Sequence, residues 1–502
     1  MAAIRDIVFT IDTWNELRAH LLGKPRDKFQ DEQLAFIFAA QNETMSGCRL
    51  VVHDLLLASK DDFIGQSAVG LTPSGAFVAK ALSRCRAEGW SLIEAHSHPF
   101  DDSDRTTFSA IDWDSDRAKM PEVARIIPAP FYHATMVLGQ RSLDAHYYDA
   151  STEDIVPIPR VTIVGRKNNE QAGIAYVDLV SSTSKSSFET EIRHDRQIPL
   201  LGTTTQEAFA RTSIAVVGLG GLGSFVALQL AYLGIGDIAL IDHDRVEETN
   251  LNRLLGARLD DVGRPKVEVF ADAVASINPQ ARITAVSASI MTEEALMAAK
   301  SADILVGCLD NHGARLAINH LSVRYLIPLL DAGTGVHISD RTLAMGGQVQ
   351  LVLPGAGCLE CRGLIDRRQA AHDLASKAQR EYEESHGYGT EEAAPSVIFL
   401  NGVVASLQVC ELVKLLSGEN RMVAVADIVV YDALKQRSFV VQASSHRDCL
   451  TCGKDGVLAL ADLAPLEPAV EGPVVPNYLI NPPPDPALDV LSVSEVAEVI
   501  QE

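Results

Sequence analysis

The sequence predicts an α/β protein built from two unlike domains. Two observations carry the prediction. Residues 211–279 read as a strand, a glycine turn, a helix and a second strand, with apolar runs at Ile214–Val217 and before Asp242. The first 150 residues mix strand-like runs with one amphipathic helix. The expected layout is a mixed α/β domain over 1–151, a linker over 152–188, a Rossmann-like domain over 189–455 and a Pro-rich tail over 456–502.

In the second domain Gly218, Gly220 and Gly223 stand in G-x-G-x-x-G spacing within GLGGLG, and Gly221 lies among them. Glycines let a backbone approach phosphate closely, and the following helix start offers free N–H groups. Asp242 follows 19 residues after Gly223, where a ribose-binding carboxylate belongs. A nicotinamide-dependent oxidoreductase shows the same pattern. The downstream residues distinguish the two: TNLNR (with Asn250, Asn252 and Arg253), GRPK (with Lys266) and CLDN (with Asp310). Cations for a triphosphate and a carboxylate for Mg²⁺ suit nucleotidyl transfer better than hydride transfer.

These five motifs, in this order, resemble the ubiquitin-activating-enzyme superfamily, especially the bacterial ThiF-like adenylyltransferases that activate sulfur carriers. The resemblance runs from Glu191 to Gly453. It implies ATP cradled by Gly218, Gly220, Gly221 and Gly223, ribose on Asp242, the nucleotide oriented by Asn250 and Asn252, triphosphate on Arg253 and Lys266, and Mg²⁺ on Asp310. The RHDRQ lead-in matches as well. Its Arg196 implies a homodimer, since the family's counterpart reaches into the partner's site.

Composition sets outer limits. Net charge −23 argues against general affinity for nucleic acid or anionic membrane. The N-terminus lacks a signal pattern, and the apolar runs read as too short to span a bilayer. Eight cysteines in 502 residues do not make a secreted disulfide scaffold. A cytoplasmic protein is expected.

In the first domain EQLAFIFAA (32–40) and CRLVVHDLLLA (48–58) read as strands, and 72–89 as a helix capped by Thr72 or Ser74 and stopped by Gly89. A further strand delivers EAHSHPF. His96 and His98 alternate, so both face one way. Ser109 and Asp112 follow as S-x-x-D. Two histidines, a carboxylate and an open position make a hydrolytic zinc site. The string resembles the JAMM/MPN metalloprotease motif. That resemblance implies zinc on His96, His98 and Asp112, Ser109 beside the oxyanion, and Glu32 as general base, with Glu43 the other candidate. Thirteen residues separate His98 from Asp112, more than the family pattern has, and the longer turn is expected over the cleft.

Cys358 and Cys361 form one C-x-x-C pair, and Cys449 and Cys452 another 87 residues on. Two such pairs signal a structural Zn²⁺ held by four thiolates; redox pairs are the alternative. The crossing loop 362–394, where the superfamily often carries its thioester cysteine, has none. Cys308 and Cys410 are expected in the core. Adenylation without a loop thioester follows. The adenylate then passes to a sulfur-donor or conjugating-enzyme-like partner, or to a hydroxyl such as Thr390 or Ser396. A helix leading through Arg196 to Arg211, and a docking helix at the end of the tail, complete the reading.

Function then has three readings. In the first, adenylation of a ubiquitin-like or sulfur-carrier protein joins a zinc protease acting on the same tail, with tethering raising effective concentration. In the second, the front domain is a noncatalytic binding module. The third, a nicotinamide-dependent oxidoreductase, is disfavoured by Lys266, Asp310 and the cysteine pairs.

Overall fold

A computed structural model describes residues 2–23, 31–167, 171–179, 192–338, 343–375, 395–417, 425–453 and 455–463. Thr390, most of the linker's second half and the tail from 464 lie outside the described residues.

The first half contains β1 (Ile4–Thr10), α1 (Ile11–Leu22), β2 (Leu34–Thr44), β3 (Gly47–Leu57), β4 (Phe63–Ser67), β5 (Gly70–Pro73), α2 (Gly75–Glu88), β6 (Ser91–Ser97), α3 (Ala110–Ile126), β7 (His133–Leu138), β8 (Leu143–Asp149), β9 (Asp154–Pro157), β10 (Arg160–Lys167) and β11 (Gln171–Asp178). Nine of these strands form one mixed sheet in the order β11-β10-β1-β3-β2-β6-β7-β8-β9. Strand alternation divides its two faces. Ile7, Phe9, Ile37, Leu50 and Ile93 pack with Trp14, Leu17 and Leu21 of α1. Val8, Phe36, Phe38 and Val51 pack with Phe77 and Leu82 of α2, in a core continuous with that of the second half. Ser74 caps α2 and Gly89 ends it in the left-handed conformation, as its sequence predicts.

The linker expectation needs correction. Residues 154–178 are not a spacer: β10 pairs parallel with β1 and antiparallel with β11, so they complete the first sheet. VTIVG and IAYVDLV read as strands in the sequence, but the sequence did not show that they pair with the first sheet.

The second half contains α4 (Ile198–Leu201), α5 (Thr203–Arg211), β12 (Ser213–Val217), α6 (Gly221–Leu233), β13 (Asp237–Ile241), α7 (Lys266–Ile277), β14 (Arg282–Val286), α8 (Glu293–Lys300), β15 (Ile304–Gly307), α9 (His312–Tyr325), β16 (Leu329–Ile338), β17 (Leu343–Val352), α10 (Arg367–Leu374), α11 (Ile398–Leu416), β18 (Ile428–Asp432) and β19 (Arg437–Val441). The sheet order β14-β13-β12-β15-β16-β17-β18-β19 starts with five parallel strands and finishes antiparallel. The order reverses between β12 and β15, so a crevice opens at their C-terminal ends. The helix expected through Arg196 leaves that residue in a turn and starts only at Ile198, and Gly202 at φ 83° divides it into α4 and α5.

By length and composition α11 could cross a bilayer, which the reading of apolar runs did not register. It packs instead on β16, β17 and α6, and buries Asn401, Gln408 and Glu411 with its apolar residues. Gln408 donates to the carbonyls of Gly307 and Leu330. Cys410, expected in the core, lies on the exposed side of α11, whereas Cys308 is buried.

A buried charge cluster joins the halves. Asp303, just before β15, accepts from Arg5 and Arg49, and its other oxygen accepts from the Ser213 amide. Asp6 pairs with Arg49 and Arg160 and accepts from the Thr162 hydroxyl. Asn42 donates to the Lys300 carbonyl. Residues 455–463, expected to begin a loose tail, clasp the same junction. Asp462 takes Lys300, the Tyr325 hydroxyl and the Glu43 amide.

Candidate functional site

The first centre lies at the C-terminal ends of β12, β13 and β15. Gly218 has φ 90°, and a Cβ there would sit 2.5 Å from the Cys308 carbonyl oxygen. A Cβ on Gly223 would sit 1.9 Å from the Gly218 carbonyl oxygen. Only glycine allows this turn to close against α6. Gly220 is the N-cap of α6 and Gly221 its first residue, so the helix starts at the turn with its amides unclaimed by a capping side chain. That arrangement favours an anion.

Asp242 braces the turn. One carboxylate oxygen accepts from the Leu219 amide at 2.6 Å and the other from the Asp244 amide at 2.7 Å. Burial pushes its carboxyl upward, with Lys266 opposing. Lys266 is buried at the start of α7, and its ammonium is 2.7 Å from Asp244 Oδ2. Asn250 is buried and its Oδ1 accepts from the Glu247 amide. Arg253 bonds the Thr249 carbonyl and Asn252 Oδ1, and its Cδ lies near the Gly221 turn. Asp310 is exposed beyond β15, next to Asn311, which caps α9. The structure therefore links the glycine turn, Asp242, Asp244, Lys266 and Arg253 in one run of contacts, with Asp310 just beyond the C-terminal end of β15.

Arg196 is elsewhere. Two residues before it, His194 packs beneath Gly234 at the C-terminal end of α6, one helix length, roughly 20 Å, from the glycine turn. Arg196 is exposed there and cannot reach this chain's own glycine turn.

Three residues that sequence reasoning missed complete the centre. Asn401, at the start of α11, holds its amide over Gly221, accepts from the Thr334 hydroxyl and donates to Ser396 Oγ. This places the candidate acceptor Ser396 beside the turn. Asp244 fastens Lys266. Asp331 takes Arg315, which also bonds the Leu309 carbonyl and so holds the CLDN turn. Burial pushes the Asp331 carboxyl up to about 6. The acid in IDHD and DAG was visible, but its partner was not.

The second centre lies at the C-terminal end of β6. The Nε2 atoms of His96 and His98 are 3.4 and 3.3 Å from the two oxygens of Asp112. Both histidines are buried, and His96 Nε2 has no hydrogen-bond partner among the described residues. A buried imidazole nitrogen left unpaired beside a second one and a carboxylate fits a metal ion. Burial works to raise the Asp112 carboxyl, but the two imidazoles outweigh it and hold it well below the usual range. Ser109 caps α3: its hydroxyl accepts from the Asp112 amide, and its own amide donates to Asp112 Oδ2. Glu32 is buried, 4.0 Å from His98, and burial pushes its carboxyl up. The alternative, Glu43, is excluded by place. It pairs with Cys48 at the other end of β2, roughly 30 Å away at strand rise.

Four thiols form a third cluster. Cys358 lies 3.6 Å from Cys449 and Cys361 3.4 Å from Cys452, all within 4.8 Å of one another. Thiols so grouped fit a closed four-thiolate zinc site. The neighbouring Cys452 thiol, against the effect of burial, lowers Cys358 to about 5.

Residues 194–452 match the ThiF family, and the chain belongs to it. It is 30% identical over 272 residues to the molybdopterin-synthase adenylyltransferase of Escherichia coli (strain K12), covering 53% of this chain and 98% of that protein. It is 29% identical over 266 residues to the sulfur carrier protein ThiS adenylyltransferase of the same strain, covering 52% and 95%. To the SAMP-activating enzyme E1 of Haloferax volcanii it is 27% identical over 276 residues, covering 54% and 92%.

Proposed function

We propose that this chain is a cytoplasmic enzyme that adenylates the C-terminal carboxylate of a ubiquitin-like or sulfur-carrier protein. Its first domain, of JAMM/MPN type, would be a zinc peptidase that trims or deconjugates the same protein. One observation supports the first half: in a ThiF-family chain the glycine turn contacts Asp242 and Arg253, and Lys266 is tied to the same segment through Asp244. The names of its relatives support the substrate class.

The ATP phosphates rest on the α6 amides and the ribose hydroxyls on Asp242, while Asn250 and Asn252 shape the turn that presents Arg253. An oxygen of the carrier's terminal carboxylate attacks the α-phosphorus, the bond from that phosphorus to the α,β-bridging oxygen breaks, and pyrophosphate leaves with an acyl-adenylate formed. Lys266 and Arg253 stabilise the charge that develops on the transferring phosphoryl group. Asp310 would hold Mg²⁺, which supplies charge neutralisation on the leaving pyrophosphate. Arg196 would complete the crevice of a second subunit, which makes a homodimer part of the proposal. With no cysteine in 362–394, the adenylate goes to a sulfur-donor or conjugating-enzyme-like partner. ATP–pyrophosphate exchange with small proteins ending in Gly-Gly is the test. Exchange dependent on one such protein is expected, and tight nicotinamide binding without exchange would overturn the reading.

In the first domain, His96, His98 and Asp112 would hold a Zn²⁺, which supplies an acidic water and a polarised carbonyl. Glu32 stands where a general base takes that water's proton and Ser109 holds Asp112 in place. Elemental analysis is expected to find two zinc ions per chain, and about one after His96→Ala. One zinc in the unaltered chain would favour the binding-module reading instead.

A further inference from the structure

We infer that the two centres of one chain never share a bound carrier: a carrier cut at the His96–His98–Asp112 centre returns to solution before a second encounter adenylates it. The inference rests on the function proposed above and concerns the order of its steps.

Strand direction carries it. In the first sheet β1 runs parallel with β3 and β10, and β2 runs antiparallel to both β3 and β6. Hence β1, β3, β6 and β10 all point one way. Arg5, Asp6, Arg49 and Arg160, which build the junction, stand at the N-terminal ends of β1, β3 and β10. In the second sheet the junction is met by Ser213 and Asp303, at the N-terminal ends of β12 and β15. Both sheets thus meet at their N-terminal edges. Both centres sit at C-terminal edges: His96 at the end of β6, and the glycine turn, Asp242 and Asp310 beyond β12, β13 and β15.

Strand lengths set the scale. Leu34 pairs with His96, while Asn42, on the same strand, touches Lys300 at the junction. That is roughly 25–30 Å at strand rise. From Asp303 to Asp310 the chain runs roughly 15–20 Å further into the second half. An extended tail of about six residues spans at most roughly 20 Å, and the carrier's folded body stays outside either cleft. A tail seated in one centre cannot enter the other.

The junction also resists closing like a hinge. Swinging it would part Asp303 from Arg5 and Arg49, leaving buried charges without partners, and would part Asp462 from the Glu43 amide. Tethering therefore gives this chain two activities in fixed ratio, not a handover.

The steps balance without a further reactant. Water adds to the scissile carbonyl, the C–N bond breaks, the amine leaves with a proton, and the carboxylate so formed is the nucleophile of the adenylation.

The test uses the full chain with ATP and Mg²⁺. The probe is the Gly-Gly carrier that supports pyrophosphate exchange, extended by a short C-terminal peptide at natural isotope abundance. A fivefold excess of the same carrier, already ending in Gly-Gly and labelled with ¹³C and ¹⁵N, is added, and early adenylates are weighed by mass spectrometry. The unlabelled adenylate is expected to appear after a lag and at its share of the free cut pool. An unlabelled share several-fold above that pool from the first turnover would overturn the inference. No cutting, or no adenylate from the labelled carrier, would overturn the proposed function and the inference with it, and each failure is visible as such.

Discussion

Lys266→Ala is expected to slow ATP–pyrophosphate exchange by about 10²–10³-fold, the usual effect of removing one preorganised charge from a developing anion. Lys266 is buried and 2.7 Å from Asp244, so its ammonium is fixed before substrate arrives and costs little reorganisation. Asp244 stands below the usual carboxylate range: burial raises it, and the Lys266 hydrogen bond prevails. Its side chain is half exposed, so water replaces the lost ammonium and the fold survives. Retained circular dichroism and melting temperature would confirm that. Exchange within threefold of the unaltered chain would remove Lys266 from the chemistry.

Asp303→Ala is expected to cost about 3–5 kcal/mol of stability, the effect of breaking a buried ion pair from one side. Arg49 would stay buried beside Arg5 and Arg160 with Asp6 as the remaining acid, and the Ser213 amide would lose its acceptor. Urea unfolding monitored by fluorescence measures it. A loss under 1 kcal/mol would mean that the junction is wetter than it is drawn here. The same residue sets a pH dependence. Burial raises the Asp303 carboxyl, but Arg49 and its neighbours win and bring it to about 2, from 3.8. A depressed folded value means stability that is present above pH 4 and is lost as pH falls toward 2. The unaltered chain should lose junction stability over that window, and Asp303→Ala should lose less of it, the remainder coming from Asp6, whose carboxyl, against burial, Arg49 and Arg160 also hold low.

Much of the candidate chemistry was legible because it is local. The glycine turn needs glycines at a fixed spacing, and GLGGLG shows them. Two histidines two apart on a strand end face one way, and EAHSHPF delivers both to Asp112. Two C-x-x-C pairs announce a four-thiol cluster that the chain closes across 87 residues. Harder to see were residues whose role depends on what lies opposite. Asn401 sits in an apolar helix, and nothing in VIFLNGVVAS says that its amide covers Gly221. Cys410 belongs to the same apolar helix but faces outward. The strands at 154–178 read as linker because their partner, β1, is some 150 residues earlier.

By itself the sequence determined the ThiF-type half, the order of the motifs and the residue types at each candidate centre, since backbone turn geometry and ligand chemistry constrain neighbouring positions. Only the tertiary structure decided how the halves are joined. Arg5, Asp6, Arg49, Arg160 and Asp303 are ordinary surface charges when read along the chain. They become a buried, charge-paired cluster because parallel strands of two mixed sheets meet at their N-terminal ends, and that meeting leaves the two centres at the opposite, C-terminal ends.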